Sequence, residues 1–119
     1  MKKTLVIGAS PNPSRYAYVA INRLLDKGIE VVALGRRAGM VGDVEIQTTK
    51  KLFEGIHTVT LYIGPQHQPE FYDYIIGLKP HRVIFNPGTE NPEFYQILRE
   101  KNIEAEVACT LVLLGTNQY

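Results

Sequence analysis

Tryptophan is absent, methionine occurs twice, and cysteine occurs once, at Cys109. A lone cysteine closes no disulfide within the chain and leaves no thiolate cluster for a structural metal, so a reducing, cytoplasmic setting is expected. An excess of either charge is missing too: 13 Lys and Arg against 12 Asp and Glu leave a net charge of +1. That balance supplies no global field to gather nucleic acid or an anionic membrane, so any anion site must be local. No apolar run approaches the ~18 residues of a membrane span. Met1-Lys2-Lys3 has the basic start of an export signal, but the apolar run behind it breaks at Gly8 and meets Pro11 and Pro13, too early for one. What is present suits one globular domain over residues 1–119, with 45% hydrophobic and 21% charged residues.

Hydrophobic periodicity then orders the chain. Thr4 to Ile7 is a short apolar run ending at Gly8, the pattern of a strand buried on both faces. Tyr16, Val19, Ala20, Leu24 and Leu25 recur at helical spacing, predicting a helix over Arg15 to Lys27 that Gly28 stops. Ile29 to Leu34 repeats the buried-strand pattern, which makes a right-handed β-α-β unit. Gly35 to Gly42 reads as a loop, Val44-Glu45-Ile46 as a brief edge strand or extended chain, and Thr49 to Phe53 as a short helical turn. A third strand is expected over Thr58 to Ile63, a helix over Pro69 to Leu78, and a fourth strand over Arg82 to Phe85. A further helix over Pro92 to Lys101, capped by Asn91 with proline in its first position, precedes a fifth strand over Ile103 to Ala108. The implied fold class is α/β: a Rossmann-like, doubly wound, three-layer arrangement around a mainly parallel five-stranded sheet.

In such sheets ligands sit beyond the carboxyl ends of the strands, where strand order reverses. The loop after the first strand, Gly8 to Arg15, leads into a helix start, where free backbone amides and the positive helix end favour an anion. Gly8 permits close approach, Ser10, Asn12 and Ser14 offer hydrogen bonds, and Arg15 offers a fork of donors to phosphate. Taken singly, Ser14 could simply cap the helix and Gly8 simply turn the chain. A dinucleotide fingerprint would want glycine where Ser10 and Pro13 stand, and no acid closes the second strand to grip a ribose. Arg36 and Arg37 stand there instead, which suits a phosphate on an adenosine ribose, as in NADP and coenzyme A, or a solvated basic turn.

Val6-Ile7-Gly8-Ala9-Ser10-Pro11-Asn12-Pro13-Ser14-Arg15 closely resembles the opening of the small bacterial CoA-binding proteins, relatives of the CoA-binding domain of the succinyl-CoA synthetase alpha subunit. The resemblance continues through Ile84-Phe85-Asn86-Pro87-Gly88-Thr89-Glu90-Asn91 and Glu106-Val107-Ala108-Cys109. It implies coenzyme A or an acyl-CoA as ligand, and Gly8, Ala9, Ser10, Asn12, Ser14, Arg15, Arg36, Arg37, Ile63 and Gly64 as the residues touching it. Gly35-Arg36 replaces the family's usual Asn-Pro after the second strand, and Thr110 replaces the proline after the cysteine. The synthetase's phosphohistidine chemistry belongs to another domain, so the resemblance implies binding without ligation.

No catalytic or metal set emerges beside this. His57, His67 and His81 lie far apart, with only His67 at the ligand end; Cys109 could form a mixed disulfide with a thiol ligand but more simply fills the core. The alternatives to a small-molecule nucleotide ligand are a small NADP-binding reductase, disfavoured by the lack of a recognisable Ser/Tyr/Lys set, and a protein-interaction module. A homodimer or protein partner would give the seven tyrosines their use.

Overall fold

The computed structural model of the protein describes residues 2–119. A mostly parallel sheet of seven strands runs in the order β3-β4-β2-β1-β5-β6-β7. The strands are β1 (Thr4–Ala9), β2 (Val31–Gly35), β3 (Gly39–Val41), β4 (Val44–Gln47), β5 (Thr58–Leu61), β6 (Arg82–Phe85) and β7 (Glu104–Val107). Among the described residues only the β3–β4 pair is antiparallel. Four helices cover the faces: α1 (Tyr16–Asp26), α2 (Tyr72–Leu78), α3 (Pro92–Glu100) and α4 (Thr110–Gly115). Chain order leaves β1 toward β2 on one side and toward β5 on the other, so the reversal falls at β1.

Each strand face buries its own cluster. Leu5, Ile7, Leu34, Val59, Leu61, Val83 and Phe85 point toward α2 and α3, which contribute Ile75, Phe94 and Leu98. Val6, Ala33 and Ile46 point the other way, against Ala17, Ile21 and Leu24 of α1 and Leu114 of α4. Burial on both faces explains the apolar stretches Leu5-Val6-Ile7 of β1 and Val83-Ile84-Phe85 of β6; β5 is equally buried but alternates threonine with Val59 and Leu61.

Three expectations are corrected. The sheet has seven strands, not five: Val44-Glu45-Ile46 belongs to β4, and Gly39–Val41 folds back on it, with Val41 pairing with Val44 across a tight turn. Val41, Val44 and Ile46 bury onto α1's face, which holds these short strands despite the glycine in β3. The helical turn expected at Thr49 to Phe53 does not form; residues 48–57 run as bends and extended chain. Between β5 and α2 the expected helix begins as two 3-10 turns, Pro65–His67 and Pro69–Phe71, each opened by a proline that has no amide to donate. The helix α4 was not anticipated, because six residues without a side-chain cap give no period to read. Among the described residues no helix is long and apolar enough to cross a membrane.

Candidate functional site

The carboxyl ends of β1, β2 and β5 meet over a floor of main chain. Gly8 has φ +92°, and a Cβ there would stand 2.8 Å from the Tyr62 carbonyl group. At Gly35 a Cβ would fall 2.2 Å from the Ala9 carbonyl oxygen. Neither position can carry a side chain, and both glycines line a cavity of about 240 Å³. Ile7, Leu34, Ile63 and Phe71 give it apolar walls; Arg36, Thr48, Lys50, His67 and Glu70 complete the lining.

Buried neutral polar groups hold these walls. Gln68, fully buried, donates through Nε2 to the carbonyl oxygens of Ile63 (3.0 Å) and Thr89 (2.8 Å), while its Oε1 accepts from Asn91 Nδ2 at 2.9 Å. Asn91 donates to the Tyr72 hydroxyl (2.8 Å) and caps α3 by accepting from the Phe94 amide (3.2 Å). Burial is the main influence holding the Tyr72 hydroxyl above its usual pKa of 10.0, so it stays a donor, to Glu93 at 3.0 Å. Asn86 donates through Nδ2 to Thr60 Oγ1 (2.6 Å) and the Leu61 carbonyl oxygen (2.9 Å), and its Oδ1 accepts from the Thr110 amide at 2.8 Å. That last bond fastens the start of α4 to β6.

The residues expected to touch ligand divide into two groups. Gly8, Arg36 and Ile63 are brought together in the cavity lining, with Gly64 adjacent. Ala9 is buried at the end of β1. Ser10, Asn12, Ser14 and Arg15 form a self-bonded loop beside the cavity, and Arg37 is exposed one residue beyond its wall. Within the loop the Asn12 amide donates to Ser10 Oγ (3.1 Å), the Ser14 amide and hydroxyl to Asn12 Oδ1 (3.0 and 2.8 Å), and the Arg15 amide to the Asn12 carbonyl oxygen (3.1 Å). These amides are therefore committed inside the loop, contrary to a cradle made by the whole stretch Gly8 to Arg15. Ser14 does not cap α1; Arg15 holds that position with no side-chain cap, and intrahelical bonds begin with the Tyr18 and Val19 amides on the Arg15 carbonyl oxygen. The amides of Tyr16 and Ala17 precede them at the positive helix end.

Thr48, Lys50, Glu70 and Phe71 were not foreseen. The available signal was topological: β4 runs parallel to β2, so the residues just past it arrive at the same end of the sheet. His57 and His81 lie at the opposite end, as expected for His81, yet their rings stack with centroids 4.7 Å apart. The Thr58–Arg82 register of neighbouring β5 and β6 places the preceding residues side by side. Cys109 is half-buried at the start of α4. Among the described residues no three of His, Cys, Asp and Glu gather as a metal ion would require.

The same architecture occurs in proteins of known structure. A crystal structure of an uncharacterised protein is 50% identical, with a TM-score of 0.97, covering 100% of this chain and 98% of that one. A Thermus thermophilus protein is 21% identical (TM-score 0.88; 99% of this chain, 90% of that one), and a hypothetical protein of Pyrococcus horikoshii 22% identical (TM-score 0.87; 98% and 83%); these two share the fold. No protein of curated function matches. Residues 2–115 match the model of the CoA binding domain, and the chain belongs to that family.

Proposed function

We propose that this protein binds coenzyme A or an acyl-CoA at the carboxyl ends of β1, β2 and β5, and holds it without transforming it. The supporting observation is the cavity: a glycine floor, apolar walls and the cations Arg36 and Lys50, at the reversal of strand order, in a chain of the CoA binding domain family. At about 240 Å³ it lies below the roughly 300 to 1,000 Å³ of pockets that enclose a whole small ligand, so it accommodates one end of a molecule as long as coenzyme A. The flat adenine suits the space among Ile7, Leu34, Ile63 and Phe71. Phosphates then lie toward Arg36 and Arg37, and the diphosphate passes over Gly8 and Ala9 toward Ser10, Arg15 and the uncapped first turn of α1. Asn12 and Ser14 serve this path by fixing the loop, and Gly64 by turning the chain after Ile63.

Calorimetric titration tests the reading. Saturable binding of coenzyme A or acetyl-CoA is expected; folded protein that binds neither at millimolar concentration rejects it. NADPH fluorescence, measured in parallel, is expected to stay unchanged on mixing; a response there with no coenzyme A binding would point to a reductase instead.

A further inference from the structure

Lys50 differs from the other cations near the cavity in how it is held. It comes from the irregular stretch between β4 and β5, and its ammonium donates to the Glu70 main-chain oxygen at 2.6 Å. The same ammonium lies 3.9 Å from the Glu70 carboxylate and 4.9 Å from the centre of the Phe71 ring. The two side chains are 42% and 65% exposed, so their ion pair adds little to stability. Its location, however, is rigidly set, because Glu70 and Phe71 come directly after Gln68 and Pro69, and the Gln68 amide is pinned to Ile63, Thr89 and Asn91. The arrangement is thus a weak exposed contact placed by a strong buried one.

Glu70 is the one carboxylate in a lining that also holds Arg36 and Lys50. An anion entering the cavity gains from both cations and is opposed by Glu70. A phosphate monoester, with a charge of about −1.5 to −2, competes for Lys50 better than a single carboxylate does, whereas a hydroxyl does not. We infer that Lys50 is a specificity-determining residue that recognises a phosphate monoester on the nucleoside end of the ligand, and that Glu70 is the counter-ion it exchanges for that phosphate. This rests on the reading that the cavity takes the nucleoside end of coenzyme A. The exchange sets a threshold: ligands with a hydroxyl in place of the monoester leave the Lys50–Glu70 pair intact and bind less tightly.

The test is calorimetric titration of the wild type, Lys50→Met, Lys50→Arg, Glu70→Gln and, as a control remote from the cavity, Lys101→Met, each with coenzyme A and with 3′-dephospho-coenzyme A. The wild type and Lys101→Met are expected to prefer coenzyme A. Lys50→Met should weaken coenzyme A at least about five-fold and the dephospho compound less than about two-fold, as loss of one partly exposed charged contact predicts. Lys50→Arg should keep most of the preference, and Glu70→Gln should tighten coenzyme A roughly two-fold without affecting the dephospho compound. Unfolding midpoints within about a degree of the wild type are expected, since the pair carries little stability. A preference that survives Lys50→Met, or an equal loss for both ligands, overturns the assignment of Lys50 while coenzyme A binding stands. A wild type that binds neither ligand overturns the functional reading and this inference with it.

Discussion

The two ends of the sheet are built from different chemistry. At the carboxyl end the buried polar side chains are neutral: Thr60, Gln68, Asn86, Thr89, Asn91 and Thr110 satisfy one another and nearby carbonyls. The cations there, Arg36 and Lys50, stay at the exposed part of the cavity lining. At the amino end the cations are engaged within the protein. Arg82, 7% exposed, donates to Thr58 Oγ1 (2.9 Å) and Glu106 (3.0 Å) and stacks on Tyr119; Lys3 pairs with Glu30 at 3.5 Å and donates to the Glu54 carbonyl oxygen at 2.9 Å. On the proposed reading, an end that keeps its buried hydrogen bonds uncharged leaves Arg36 and the exposed Lys50–Glu70 contact available to an anionic ligand, while the amino end uses charge as structural glue.

Four substitutions break or sharpen this contrast. The largest effect is expected from Gly35→Ala, whose Cβ would lie 2.2 Å from a backbone oxygen and force β1 and β2 apart at the cavity floor. Denaturant unfolding should show a loss of about 4 kcal/mol, near the upper end for one residue, with ligand binding abolished in whatever remains folded. Asn86→Ala strips partners from Thr60, the Leu61 carbonyl oxygen and the Thr110 amide in a dry setting; a loss of about 3 kcal/mol, unchanged by salt, is expected. Arg82→Met, at the other end, should cost about 2 kcal/mol, and the difference from wild type should shrink as salt rises because Glu106 is partly solvated. A salt-sensitive Asn86→Ala or a salt-insensitive Arg82→Met would erase the distinction between the ends.

The smallest effect concerns His57. Burial first, then the positive charge of His81, Arg82 and Lys2, lowers its pKa from the ordinary 6.5. The unfolded chain therefore takes up a proton at a pH where the folded one resists it. His57 is thus without penalty well above pH 6.5, and stability falls as pH drops through that value toward the lowered one. His57→Gln should flatten the decline in unfolding midpoint between about pH 7.5 and about pH 5. An unchanged slope would mean that the stacked imidazoles do not report on acid at that end.

The same physics decides how much of the molecule can be read from its residues. Strands buried on both faces carry apolar stretches, so β1, β2 and β6 were legible, even with Arg82 inside one; β5 was legible from its alternation, and β7 was expected over Ile103 to Ala108 although it is a half-exposed edge strand with two glutamates. The β3–β4 pair was not recognised as two strands, since three residues that include a glycine carry no period and their stability comes from Val41, Val44 and Ile46 packing beneath α1. With the carboxyl end of β4 missed, Thr48 and Lys50 just past it stayed hidden as well. Gly8 and Arg36 stood out because they lie at or just past the ends of recognised strands, and Ile63 was implied by the family resemblance alone; all three line the cavity. The loop Ser10 to Arg15 was legible as a motif but not as a hydrogen-bond network, because only coordinates reveal that Asn12 accepts from Ser14 and Arg15 rather than leaving those amides open.

The edges of the sheet bear on behaviour in a crowded solution. On one side β3 doubles back antiparallel over just three residues, and on the other β7 carries Glu104 and Glu106 along its length. A brief reversed strand gives a stray chain little to add to, and the exposed Glu104 carboxylate repels its counterpart on a second copy arriving in the same register, Glu106 being paired with Arg82. The molecule should accordingly resist fibrillation for as long as both borders stay folded.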